Sequence, residues 1–113
     1  MIPLKSKYLK KYNGMTLWPF LLVSNKGKLK DVVFMNHENI HAVQQKELLV
    51  LFFYLWYGLD YAINLIRYKN HHVAYRNIVF EREAYLNESD LDYLKKRKLF
   101  SFFKFYDKKY VHE

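Results

Sequence analysis

The sequence predicts a mainly α-helical single domain with a small β-hairpin at its front, an α+β fold. Three observations carry this reading. Apolar residues recur at three- and four-residue steps over most of the chain beyond residue 31. The clearest β-like run lies at residues 16–24, and 113 residues suffice for one core but not two. Eleven Tyr, nine Phe and two Trp against three Gly and two Pro exclude a disordered or collagenous chain, because so much aromatic surface requires burial.

The N-terminal hairpin occupies residues 1–31. Residues 16–24 read as a strand, followed by a turn at Asn25, Lys26 and Gly27 and a short return through Lys28–Lys30. Asp31 is positioned to cap a helix over 32–57, in which Val33, His37, Ile40, His41, Gln44, Leu48, Leu51 and Leu55 share helical spacing. Gly58 is the expected stop, and an apolar second helix follows over 59–68. After a polar connector, a third helix is expected over 73–87. Ser89, with Asp92 three residues on, marks the start of a basic and aromatic C-terminal helix and tail over 89–113, with a loose end from Asp107.

Residues 48–66 are long and apolar enough for one membrane crossing, apart from Asp60 and Asn64. An ionised carboxylate at bilayer depth is costly, so the segment is read as two helices folded back at Gly58, with Asp60 near the turn or paired with Arg67. The basic start (Lys5, Lys7, Lys10, Lys11) and the apolar run after it lack a small-residue cleavage site, and no cleaved signal peptide is expected.

The absence of cysteine leaves His, Asp and Glu as the metal-ligating side chains. Residues 37–41, His-Glu-Asn-Ile-His, place two imidazoles four positions apart on one helix face, with Glu38 beside them. A third ligand is required for a firm zinc site. The run Phe80-Glu81-Arg82-Glu83-Ala84-Tyr85 offers two. Glu81 shares a face with Ala74, Ile78, Ala84 and Tyr85, a stripe able to pack closely against the first helix, and is preferred over the alternative, Glu83. Gln44 and Gln45, one turn past His41, are either hydrogen-bond partners of the site or solvated, and are not counted in it.

These residues resemble the gluzincin metallopeptidases, in which HExxH on one helix is joined by a Glu from an ExEA run on a second. In size the chain is similar to the minigluzincins. The resemblance covers residues 16–87 and implies a minimal zincin-like domain with the active-site helix and third-ligand helix packed together. It implies zinc as cofactor, His37, His41 and Glu81 as ligands, and Glu38 as general base toward a zinc-activated water. The implied function is a small metallohydrolase, a peptidase acting on peptide or protein substrates. Many relatives carry Asp four residues after the ligand Glu, where it supports a zinc-bound His. Tyr85 stands there in this chain. For the oxyanion or for outer support, the candidates by type and position are Tyr75, His72, His71 and Tyr85. The strand at 16–24 could pair with an extended substrate.

The net charge of +8 and the phenylalanines around Lys95–Lys98 give a second reading, a non-catalytic helical protein bound to an anionic membrane surface or a protein partner. The lysines follow no nucleic-acid reading module, so no specific nucleic acid is expected. The apolar 48–66 segment also invites pairing with a second copy. The expected location is the cytoplasm or the cytoplasmic face of a membrane. The aromatic tail is a further candidate to plug the cleft.

Overall fold

In the computed structural model, which describes residues 1–6 and 14–112, the front of the chain forms a three-stranded sheet in the order β1–β3–β2. Strands β1 (Ile2–Lys5) and β3 (Phe20–Val23) run parallel, and β2 (Gly14–Leu17) is antiparallel to β3. The expected strand over 16–24 is therefore two strands, turned at Trp18–Pro19 through a cis peptide bond. Proline has no N–H for a sheet ladder and sits in the turn. Residues 25–30 do not return as a strand but form a 3-10 helix, Lys26–Lys30, because the Asn25 side chain accepts the Gly27 N–H and winds the backbone. Of the N-terminal lysines, Lys7, Lys10 and Lys11 lie outside the described residues.

Alternation orients the sheet, with Leu21 and Val23 turned into the core and Phe20 outward. Gly14 is required by close approach, since a Cβ there would lie 2.4 Å from the Phe34 ring. That contact sets β2 against α1 (Val32–Glu47), which Asp31 caps through the Phe34 N–H as its sequence predicts.

The first helix ends at Glu47 rather than at residue 57, and the chain turns through 112° into α2 (Leu51–Tyr68). Leu49 and Val50 both have positive φ, and the Leu51 N–H bonds back to the Leu49 carbonyl, a tight turn centred on Val50. No glycine marks this corner. Gly58 instead lies inside a continuous α2, its missing side chain facing open space. Glycine weakens a helix by about 1 kcal/mol relative to alanine but does not stop one that is anchored on both sides of it. Here Phe53, Asp60 and Asn64 provide the anchors. Residues 48–66 are thus a corner and one helix, not a hairpin at Gly58. No single helix among the described residues is long and apolar enough to cross a membrane.

The expected helix over 73–87 is two, α3 (His71–Arg76) and α4 (Val79–Asn87). Asp60 explains the break: it is not at a turn but inside α2, where it points inward and accepts the Val79 N–H at 2.8 Å, with Arg67 acting on it only through its charge. A carboxylate on the first N–H of α4 satisfies a group that a continuous helix would bond internally. The Asn77 side chain meanwhile bonds the Val73 carbonyl and clasps the backbone of His112.

The C-terminal helix is shorter than expected: α5 is Tyr93–Lys96, with Asp92 rather than Ser89 at its N-cap, followed by 3-10 turns at Ser101–Tyr106 and Lys108–Tyr110. Phe102 and Phe105 are buried with Phe53, Ile78, Val79 and Phe80, and Arg82 bonds the Phe105 carbonyl. The C-terminal segment therefore joins the core through Phe102 and Phe105, while from Asp107 the chain is exposed at 107–109 and is held by the half-buried Tyr110 and by Asn77 on the His112 backbone. A second cluster, Ile40, Ala84 and Tyr93, packs α1 against α4 and α5.

Candidate metal centre

Two helices meet at the site. From α1 come His37, Glu38 and His41, all buried, and from α4 comes Glu81. The two Nε2 atoms lie 3.1 Å apart, and Glu81 Oε1 lies 3.3 Å from that of His37 and 3.0 Å from that of His41. Around a tetrahedral zinc with bonds of about 2.0–2.1 Å, neighbouring ligand atoms stand about 3.3 Å apart. The spacing of these three atoms fits that geometry. Glu38 sits beside them, within the 4.8 Å that encloses one donor atom from each of His37, Glu38 and His41.

Polar contacts behind the two imidazoles hold their Nε2 atoms toward Glu81. His41 Nδ1 lies 2.8 Å from Gln44 Oε1, while Gln44 Nε2 donates to the Phe80 carbonyl and to Glu83 Oε1. The amide oxygen can only accept, so His41 carries a proton on Nδ1, which leaves Nε2, facing Glu81, as the atom that takes a cation or a second proton. His37 Nδ1 lies 3.5 Å from Glu88 Oε2, which orients that ring the same way. Two imidazole lone pairs and a carboxylate oxygen within 3.3 Å repel one another until a cation or a proton joins them.

The electrostatics state the same demand. Burial disfavours the charged form of His41, yet Glu81 outweighs it and pushes the imidazole up to about 9. Burial also pushes the Glu81 carboxyl up, but His41 and His37 overcome it and hold it well below the usual carboxylate range. Burial raises Glu38 above the ordinary carboxylate value, against the pull of both imidazoles. A carboxylate made more basic beside a metal site is suited to taking a proton from water.

Thr16 fixes Glu38 by donating to its backbone carbonyl at 3.1 Å and to Oε1 at 3.3 Å. Tyr57 donates to Glu81 Oε2 at 2.6 Å, and burial raises its hydroxyl so that it stays a donor. Glu83 does not reach the imidazoles. Its oxygens take Gln44, Tyr93 at 2.5 Å and Arg97 at 2.6 Å and 3.1 Å, and Arg97 also grips Glu47 through two bonds of 2.9 Å. Gln44 thus links His41 to the Glu83–Arg97–Glu47 network.

A cavity of about 340 Å³ opens over this cluster, lined by His37, Glu38, His41 and Glu81 and by Tyr54, Tyr57 and Tyr61 of α2. Gly14, Met15 and Thr16 of the β2 edge border it. Part of that edge is occupied, since Gln45 accepts the Trp18 N–H at 2.7 Å and donates to the Thr16 carbonyl at 2.8 Å, which also accepts from Tyr54. Of the four candidates for the oxyanion or outer support, Tyr75 and His71 line the cavity. Tyr85 lies behind, its ring 4.5 Å from His37 and its hydroxyl 2.9 Å from that of Tyr75. His72 is not at the site: it is exposed on α3 with its ring near that of His112. Among the described residues, none of the tail lines the cavity, so the plug expected of it is not seen there.

Sequence reasoning set Gln44 aside and missed Thr16, Tyr57, Glu88 and Arg97. Gln44 stands three residues past His41 and Glu88 seven past Glu81, spacings that repeat a helix face and could have flagged both. Thr16, Tyr57 and Arg97 reach the site from other elements and carry no such signal. No protein-family model, no curated protein and no solved structure matches the chain, so the site is read from its own geometry.

Proposed function

We propose that the protein is a small zinc-dependent hydrolase of the gluzincin type, acting as a peptidase. The observation that carries this reading is the convergence of His37 Nε2, His41 Nε2 and Glu81 Oε1 within 3.3 Å, with both Nδ1 atoms turned outward and Glu38 beside an open cavity. His37, His41 and Glu81 hold the ion. Bound zinc supplies a Lewis acid that lowers the pKa of a coordinated water toward neutrality.

The chain's own groups then account for the proton and the substrate. Glu38, held by Thr16, accepts a proton as the water oxygen bonds the substrate carbonyl carbon, and returns it to the amine nitrogen as the C–N bond breaks. Tyr75 and His71 face the cavity, where a hydrogen bond to the carbonyl oxygen counters its growing charge. The tyrosines of α2 form an aromatic wall for an apolar substrate side chain. An extended substrate pairs with β2 at Gly14 rather than along its whole edge, because Met15 bonds toward β3 and Gln45 holds Thr16 and Trp18.

The experiment is zinc stoichiometry by elemental mass spectrometry on purified protein and on His41→Ala, Glu81→Ala and Glu83→Ala after a mild chelator wash. One zinc per chain is expected, lost in His41→Ala and Glu81→Ala and retained, more weakly, in Glu83→Ala. Folded wild-type protein that takes up no zinc overturns the reading.

A further inference from the structure

Helix α2 lines the cavity with one face and leaves the opposite face bare. Phe52, Leu55, Leu59, Ile63 and Ile66 follow one another at steps of three and four, and they are 52–78% exposed. At about 1.5 Å per residue the stripe is roughly 21 Å long. It holds no charge, because the one acidic or basic side chain between Leu51 and Ile66, Asp60, is turned inward onto Val79.

Two further elements carry exposed aromatic rings. At the hairpin tip, exposed Trp18 is tied by Gln45 to the end of α1 and carries Lys46 Nζ 5.3 Å from its ring centre. From the tail, exposed Phe103 meets Trp56 of α2 with ring centroids 5.2 Å apart. The fringe is basic: Lys46, Arg67, Lys69, Lys98 and Lys104 are all exposed.

A helix that is apolar on every side is normally covered. Crossing a bilayer does not cover this one, since its inner face is committed to the domain through Phe53, Asp60 and Asn64. A second copy would bring two chains of net charge +8 and two basic fringes together. An anionic lipid surface satisfies both features at once, with acyl chains for the stripe and headgroup phosphates for the fringe. We propose that the outer face of α2, with Trp18 and Phe103, docks on an anionic bilayer, the helix lying in the plane of the interface. This docking does not rest on the zinc reading.

The test is sedimentation of the full chain with extruded vesicles of phosphatidylcholine, alone or with about 30% phosphatidylglycerol, at low and high salt. Binding to the anionic vesicles is expected to be at least about tenfold tighter than to the neutral ones and to weaken with salt. The double variant Leu59→Asp/Ile66→Asp, at exposed positions that leave the circular dichroism unchanged, should lose it. Lys98→Glu/Lys104→Glu should weaken it. Three results overturn the proposal: folded protein that ignores anionic vesicles, binding that survives Leu59→Asp/Ile66→Asp, or a solution dimer dissolved by that variant while vesicles stay unbound. The last assigns the face to a second copy.

Discussion

Replacing Gln44 by Met separates a designed metal centre from a chance meeting of histidines. Gln44 is fully buried and makes three contacts, with His41 Nδ1 at 2.8 Å, the Phe80 carbonyl at 3.2 Å and Glu83 Oε1 at 2.8 Å. Methionine keeps the length and volume but supplies no acceptor for the His41 proton. His41 is then free to change tautomer and rotate, and its Nε2 is a weaker ligand. Loss of such an outer partner weakens metal binding about 10- to 100-fold, which is about 1.4–2.7 kcal/mol. Metal that binds only the folded state adds its binding energy to stability, so the zinc-induced rise in Tm should shrink by roughly 5–11 °C in a domain of this size. The assays are zinc titration against a chromogenic chelator and thermal melts with and without zinc. A folded Gln44→Met protein that binds zinc as tightly as wild type refutes the relay, and with it the claim that the lone pairs are aimed.

Four further outcomes are expected. Glu38→Gln should retain zinc but lower peptide hydrolysis by about 10²- to 10⁴-fold, read on a fluorogenic peptide library alongside elemental analysis. Gly14→Ala should cost about 1–3 kcal/mol in urea unfolding, because the new methyl group must displace the Phe34 ring from 2.4 Å, and an unchanged midpoint would show that the β2–α1 approach is slack. Val50→Gly should stabilise the fold by up to about 2 kcal/mol, since Val50 sits at φ 57° in the corner and glycine relieves that conformation at the cost of a more flexible unfolded chain. Burial raises the Asp60 carboxyl, so the native state holds its proton more tightly than the unfolded chain, and this contribution is lost as pH rises from about 4 through the raised native value. Asp60→Asn keeps an acceptor for the Val79 N–H and should flatten that part of the pH dependence in urea midpoints; parallel wild-type and variant curves would contradict it.

The fold class, the Asp31 cap and the two-helix origin of the site were legible because each rests on local chemistry: period, cap and motif. The chain's breaks were not. Gly58 looks like a stop only if glycine is treated as punctuation, whereas the corner at Leu49 and Val50 is held by contacts from residues far along the chain, including Tyr54 reaching the Thr16 carbonyl and the Gln45 link to Trp18. The split between α3 and α4 has the same origin, since Asp60 caps from a different helix. Arg97 reads as one more member of a lysine-rich surface run, yet its side chain is 2% exposed and grips two carboxylates.

The choice between Glu81 and Glu83 shows why periodicity alone could not decide the site. Both carboxylates are buried, so both faces of α4 are interior and the hydrophobic stripe has no polar opposite to orient it. The register is set from the two ends instead. Asp60 takes the first N–H of α4, and the two side-chain N–H groups of Asn36, next to His37, donate to the carbonyls of Glu88 and Asp90 just past its end at 2.8 and 2.9 Å. With both termini pinned, rotation of α4 by one residue would break the Asp60 and Asn36 hydrogen bonds and separate Glu83 from Arg97. The same pinning brings Glu88 to His37 and Glu81 to both imidazoles, so the residue before the motif fixes the helix that completes it. Weakening either clamp should therefore lower zinc affinity without touching a ligand, and Asn36→Ala is the variant in which to measure that by chelator competition. Unchanged affinity there would mean that packing of Ala84 and Phe80 alone holds the register.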